Sequence, residues 1–187
     1  MSKSYKELMN DITTFVFDVD GVLTDGTIHV APNGEMLRNM HIRDGYAMKA
    51  AVENGYTVCI ISGGSNEGVR IRLRNLGITD IHIGVPDKVE TFKEFTDVYN
   101  INPEQVLYMG DDIPDYFVMQ LVGLPTCPQD AAPEIKGLSK YISHRNGGTG
   151  CVRDVIEQVM KVQGKWMEHF NACLLYTSPS PRDGLLS

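Results

Sequence analysis

The hydrophobic positions of the chain fall into two kinds of run. Short, unbroken apolar stretches occur at 13–17, 57–61, 80–83 and 106–109, with weaker ones at 124–127 and 141–143. They lack the alternation of a half-exposed strand, which predicts strands buried on both faces. Between them the apolar spacing is helical and the ends are marked. Asp44 is placed to N-cap a helix that stops at Gly55, Ser65 one that stops at Gly77, and Asp87 one that carries Phe92 and Phe95. This alternation predicts an α/β fold, a Rossmann-like three-layer parallel sheet with helices on both faces. Ligands of such sheets bind outside the carboxyl ends of the strands.

One segment departs from the alternation. Residues 27–30 and 35–40 flank Ala31-Pro32-Asn33-Gly34, and Asn-Gly between such runs predicts a β-hairpin. Directly after the first strand, it projects over the strand ends as a flap. The intervals between Asp20 and Ser62 and between Lys88 and Asp111 leave no room for a cap domain. A site at the strand ends is therefore expected to be open unless a neighbouring subunit closes it. Residues 1–170 read as one domain. The stretch 171–187, NACLLYTSPSPRDGLLS, has a Ser/Pro-rich centre and no periodicity; it is expected to be a disordered tail and is a candidate non-native addition.

The strand ends carry the polar chemistry. The run TFVF leads into Asp18 and Asp20, two carboxylates that leave an extended chain on the same face. At roughly 6 Å and an effective dielectric of about 20 they repel by ~3 kcal/mol, so the site calls for a cation, a proton, or both. A second apolar strand, VLYM, ends in Gly110, Asp111, Asp112 and, after Pro114, Asp115. Oxygen-only donors at two converging strand ends suit magnesium. Ser62-Gly63-Gly64 follows the strand YTVCII and opens a helix, so a hydroxyl and backbone N–H groups form an anion seat. Lys88 begins the helix after the third strand of the sheet.

Composition narrows the partners. The chain has 187 residues and is 42% hydrophobic, enough for one buried core. A net charge of −7 argues against nucleic acid or a membrane surface as partner, so an anionic ligand must be met by local cations. The N-terminus MSKSYKELMN has no apolar signal region, and no apolar run is long enough to span a membrane. Cys59, Cys127, Cys151 and Cys173 show no CxxC spacing and read as free thiols of a cytoplasmic protein.

An acid pair, a hydroxyl, a lysine and a second acid pair, each at a strand's carboxyl end, resemble the four motifs of the haloacid dehalogenase superfamily: DVDGVLT, the serine of IISGG, the lysine of VPDKV, and GDDIPD. The stretch from TDGTIHVAPNGEMLRNMHIRDGYAMKAA through VRIRLRNLGI, GVPDK and YMGDDIPD to GGTGCVRDV is further similar to the capless 3-deoxy-D-manno-octulosonate 8-phosphate (KDO 8-phosphate) phosphatases. The resemblance implies a magnesium-dependent phosphatase of lipopolysaccharide biosynthesis acting on a small sugar-acid phosphate. It also implies a homotetramer in which hairpins and C-terminal segments help close neighbouring active sites.

By the same resemblance, Asp18 is the nucleophile that forms an aspartyl-phosphate, and Asp20 is the proton carrier. Magnesium is held by Asp18, the backbone carbonyl of Asp20, and Asp111, with Asp112 and Asp115 orienting that set. Ser62, Gly63 and Lys88 bind the phosphoryl group. The resemblance assigns the sugar acid to His41, Ile42, Arg43, Asp44, Gly45, Lys49 and Arg72, and Arg153 is a candidate for a neighbour's site. Gly64 stands where many of these phosphatases carry arginine and nine-carbon acylneuraminate-type relatives carry glutamate, so it leaves the chain length of the sugar open. The IRDG run favours KDO 8-phosphate. A reading from another class, a phospho-receiver domain, also combines acids, a hydroxyl and a lysine. Receivers, however, place the acid pair after strand one and the acceptor after strand three.

Overall fold

The computed structural model describes residues 3–167; the expected tail at 171–187 and Cys173 lie outside the described residues. The chain runs α1 (Tyr5–Asp11), β1 (Thr14–Phe17), a tight turn (Val19–Leu23), β2 (His29–Val30), β3 (Met36–Leu37), α2 (Ile42–Glu53), β4 (Thr57–Ser62), α3 (Glu67–Arg74) and β5 (Asp80–Ile83). It continues with α4 (Lys88–Tyr99), β6 (Val106–Met109), α5 (Tyr116–Met119), β7 (Leu124–Cys127), α6 (Pro133–Leu138), β8 (Tyr141–Ile142) and α7 (Cys151–Val162). Strands β5, β6 and β7 match their sequence-predicted bounds to the residue.

Six strands form one parallel sheet in the order β5-β4-β1-β6-β7-β8. Counted along that sheet alone this is the doubly wound order 3-2-1-4-5-6, whose direction reverses between β1 and β6. The carboxyl ends of those two strands flank the crevice where such sheets bind ligands.

Both faces of the strands are buried, as the unbroken apolar runs predict. Phe15 and Phe17 of β1, Val58 and Ile60 of β4, and Leu107 and Met109 of β6 point into one core, shared with residues of α2, α3 and α7. Val16, Cys59, Ile61, Val106 and Tyr108 point into the other, against Phe92 and Phe95 of α4 and Val118 and Met119 of α5. Helix α7 buries Cys151, Val152, Val155, Ile156, Val159 and Met160, a one-faced stripe at helical spacing.

Two helix starts differ from the expected caps. Asn66, not Ser65, caps α3 by accepting from the Val69 N–H at 3.0 Å. Helix α2 begins at Ile42, before Asp44. The buried Asp44 carboxylate instead accepts from the Arg153 N–H at 2.7 Å, capping the N-terminus of α7 across the helix interface. Asp87 caps α4 as expected, accepting from Val89 and Glu90 N–H groups.

The hairpin is present but shorter than the flanking runs suggested, with two residues per strand and the register His29↔Leu37 and Val30↔Met36. Its residues from Pro32 to Leu37 are exposed, so no packed face extends the ladder. Among the described residues no cap domain follows β1 or β5, and no helix is long and apolar enough to cross a membrane.

Candidate active site

The register of the sheet sets the site. Phe17 pairs with Ile60 on one side and Met109 on the other, and the Asp18 N–H donates to the Met109 carbonyl at 3.1 Å. Asp18, Ser62 and Asp111 therefore leave the same edge of three adjacent strands. Gly21 makes the convergence possible. Its φ of +84° suits glycine, and a Cβ there would lie 1.9 Å from Asp111 Oδ2.

Asp18 is buried; its Oδ1 accepts from the Val19 N–H at 2.6 Å and its Oδ2 from Lys88 Nζ at 2.7 Å. Lys88, at the first position of α4, is aimed inward and donates also to Asp115 Oδ1 at 2.7 Å. Asp115 is fully buried: the Tyr108 hydroxyl donates to its Oδ1 at 2.8 Å and the Asp111 N–H to its Oδ2 at 3.2 Å. Each of Asp18, Asp111 and Asp115 offers an oxygen within 4.8 Å of the others'.

Lys88 bridges Asp18 and Asp115 but not Asp111, so with all three carboxylates ionised the cluster carries two negative charges beyond the one ammonium. Burial, and then the neighbouring Asp115, raises the Asp18 pKa to about 6. Burial, followed by Asp18 and Asp115, raises that of Asp111 to about 7. Burial alone would lower the Lys88 pKa, but Asp18 and Asp115 outweigh it and keep the ammonium charged. An all-oxygen cluster short of two positive charges fits magnesium in donor chemistry and in charge. Asp115 is fully buried and accepts from three protein donors, so it fits a holding role, and Asp18 and Asp111 at the strand ends fit as the ligating side chains.

Asp20 stands at the other side of the turn. Its carboxylate is gripped by Arg38 from the hairpin, Nε to Oδ1 at 2.7 Å and Nη2 to Oδ2 at 3.1 Å, with the Thr24 hydroxyl 3.5 Å from Oδ1. Ser62 is buried, accepts from the Gly64 N–H at 3.3 Å, and lines a small recess with Asp20, Arg38 and Gly64.

The residues assigned to the sugar acid lie elsewhere in the same protomer. Ile42 and Arg43 line a cavity of about 680 Å³ with Tyr46, Arg153 and Trp166; His41, Arg43 and Arg153 line a second of about 640 Å³ beside Arg145 and Glu157. Neither is lined by Asp18, Asp20, Ser62, Lys88 or Asp111. Arg153 donates to Glu157 at 3.0 Å and stacks between the Tyr46 and Trp166 rings. Lys49 is exposed and pairs loosely with Glu53 at 3.8 Å. Arg72 does meet the IRDG run: its Nη2 lies 2.8 Å from where a Cβ on Gly45 would sit.

Two participants escaped the sequence reading. Tyr108 was readable as a lone hydroxyl on a wholly buried strand, which must find a partner. Arg38 carried no signal, because its partner lies eighteen residues away across a hairpin whose geometry the sequence does not fix.

Comparison with known proteins agrees with this arrangement. A family model described as haloacid dehalogenase-like hydrolase matches residues 77–156. The 3-deoxy-D-manno-octulosonate 8-phosphate phosphatases of Salmonella typhi and Escherichia coli K12 are each 38% identical over 155 residues, 83% of this chain and 82% of theirs. Among solved structures, the Yersinia pestis phosphatase has a TM-score of 0.86 at 33% identity, covering 90% of this chain and 91% of its own. The Moraxella catarrhalis phosphatase, in complex with magnesium, phosphate and KDO, has a TM-score of 0.86 at 30% identity, covering 91% and 97%. Asp18 ends the first strand of the sheet, where a phospho-receiver would not place its acceptor. By its identity over most of its length, its sheet order and its four strand-end motifs, the chain belongs to the 3-deoxy-D-manno-octulosonate 8-phosphate phosphatase family of haloacid dehalogenase-like hydrolases.

Proposed function

We propose that this chain is a magnesium-dependent phosphatase that hydrolyses KDO 8-phosphate to KDO and phosphate, through an aspartyl-phosphate on Asp18, for lipopolysaccharide biosynthesis. The observation that carries the reading is the Asp18 carboxylate, held at the tip of β1 by Lys88 within an acid cluster that lacks two positive charges.

Asp18 attacks phosphorus and the sugar oxygen departs with a proton from Asp20. Asp20 then takes a proton from the water that attacks the acyl-phosphate, which returns Asp18 as carboxylate and releases phosphate. Lys88, the Ser62 hydroxyl and the Gly63 N–H bind the phosphoryl oxygens and the charge that grows on them. Asp18, Asp111 and the Asp20 carbonyl would hold magnesium, which supplies charge compensation and Lewis acidity to the phosphoryl group. Asp115 and Tyr108 fix the lysine, and Asp112 flanks the set.

The sugar acid is met by His41, Ile42, Arg43, Asp44, Gly45, Lys49 and Arg72, with sites completed across a homotetramer. Two observations support this reading. The cavities that hold His41, Ile42 and Arg43 are separate from the catalytic carboxylates of their own chain. The hairpin exposes Val30, Met36 and Leu37. The cytoplasmic reading is supported by three buried free thiols, Cys59, Cys127 and Cys151. The catalytic unit is one domain over 1–170.

Phosphate release from KDO 8-phosphate, a nine-carbon keto-sugar acid phosphate and simple sugar phosphates, each with magnesium and with EDTA, tests the function. The highest kcat/KM is expected on KDO 8-phosphate with magnesium only. Preference for the nine-carbon compound would change the substrate. Absence of release from every phosphate in the presence of magnesium would contradict the function itself.

A further inference from the structure

The hairpin from Pro32 to Leu37 is exposed, yet the side chain of Arg38, the next residue, is only 6% exposed. It leaves the hairpin and runs inward to place the Nε–Nη2 edge of its guanidinium on the two oxygens of Asp20, while Nη1 donates to the Met36 carbonyl at 3.4 Å. Such a fork fixes the plane of a carboxylate as well as its position. Two features keep this path open. Asn66, the cap of α3, donates to the Met36 carbonyl at 2.9 Å and ties the returning strand of the hairpin to the sheet edge. Gly64 supplies the space: a Cβ there would stand 3.0 Å from Asp20 Oδ2 and 3.3 Å from Arg38 Nη2. The Thr24 hydroxyl meets Asp20 Oδ1 separately, so the carboxylate has a second, independent support.

We infer that Arg38 is a positioning residue for Asp20 and the latch of the hairpin, so that the flap and the proton carrier are set by one contact. The catalytic half of this inference rests on Asp20 carrying the proton to the leaving group; the latch half does not. With Arg38 in place, the Asp20 carboxylate is held in a fixed plane and the hairpin stays down. Without it, the hairpin loses one of its ties and keeps the Asn66 contact, and the Asp20 carboxylate keeps only the long Thr24 contact, which does not fix its plane.

The latch is read first, without substrate, by amide hydrogen exchange across residues 29–37. Arg38→Ala and Asp20→Ala are each expected to speed exchange there by about tenfold, in keeping with loss of a charge-assisted bond, and the double variant no more than either. Gly64→Val, whose side chain occupies the Arg38 path, is expected to do the same, while Arg38→Lys restores part of the protection. Hairpin exchange unchanged in Asp20→Ala, or additive in the double variant, would overturn the latch.

The catalytic half is read by kcat/KM, which covers the steps up to the aspartyl-phosphate. Arg38→Ala is expected to lose at least about tenfold on an alkyl phosphate such as KDO 8-phosphate. On p-nitrophenyl phosphate, whose leaving group departs without a proton, the loss is expected to stay within about threefold. Equal losses on both would show that Arg38 does not act through Asp20. If wild type releases no phosphate from KDO 8-phosphate but hydrolyses another alkyl phosphate, the substrate assignment falls and this comparison is made on that other phosphate.

Discussion

The sheet edge and the hairpin sit side by side over the same turn and are built in opposite ways. At the edge, Asp18, Lys88 and Asp115 are buried, each charged group is bonded at least twice, and three strands in fixed register supply the backbone. The hairpin has two-residue strands, exposed apolar side chains, and is tied to the site through Arg38 and Asn66. Groups that must meet a reacting phosphorus within a fraction of an ångström stand on the rigid part, as catalytic geometry demands. The part that covers the site is held by few bonds and presents apolar residues outward. Chemistry and access are thus built on different parts and meet at Arg38: damage to the edge should abolish turnover, and damage to the exposed hairpin strands should alter closure and assembly while the fold persists.

That contrast is broken most severely at Lys88. Lys88→Met removes the one ammonium shared by Asp18 and Asp115, and kcat should fall on the order of 10²–10³-fold, as for loss of a phosphoryl-binding donor. Steady-state phosphate release measures it, and a loss below tenfold would move the phosphoryl contact elsewhere. Tyr108→Phe takes one donor from Asp115 and should lower kcat by about 5–10-fold with KM little changed, since the lost bond of ~1 kcal/mol acts through Lys88 and touches no substrate.

Magnesium and pH sharpen the comparison through stability. Asp18 and Asp111, at about 6 and about 7, sit above the ordinary 3.8, so without metal the folded protein binds more protons than the unfolded chain in this range. The stability they contribute is complete below that ordinary value and is lost as pH rises through 6 to 7. Magnesium competes with those protons. Saturating magnesium should therefore raise the unfolding midpoint by about 5–10 °C at pH 8 and by clearly less at pH 5.5. An equal rise at both pH values would remove these carboxylates as the ion's ligands.

The smallest expected effect lies on the hairpin. Leu37→Ser should shift the same midpoint by less than about 2 °C, because the side chain is half exposed in its own protomer. Light scattering should find wild type as the proposed tetramer and the same variant as smaller species.

The two regions also differ in how far they could be read from sequence. The strands announced themselves, since TFVF, TVCII and VLYM have no polar gap and sheet burial on both faces demands that. Their shared carboxyl edge followed, and with it the meeting of Asp18 and Asp111, whereas the order of the strands in the sheet was not read. Local signals missed in detail where long-range contacts compete. Asp44 looked like a cap for its own helix but is taken by α7, and the Ser4–Glu7 capping box of α1 was legible but opens a helix of only seven residues. Nothing local could have paired Arg38 with Asp20, because that contact depends on how the hairpin lies, and exposed hairpins are weakly specified by pattern.

The central claim is that Asp18 is the group to which the phosphoryl is transferred. Enzyme turning over KDO 8-phosphate with magnesium is acid-quenched, reduced with borohydride and mapped by mass spectrometry. Reduction should convert Asp18, and no other carboxylate, to homoserine. Modification at a different residue, or continued turnover by Asp18→Asn with no trapped species at position 18, would contradict the account.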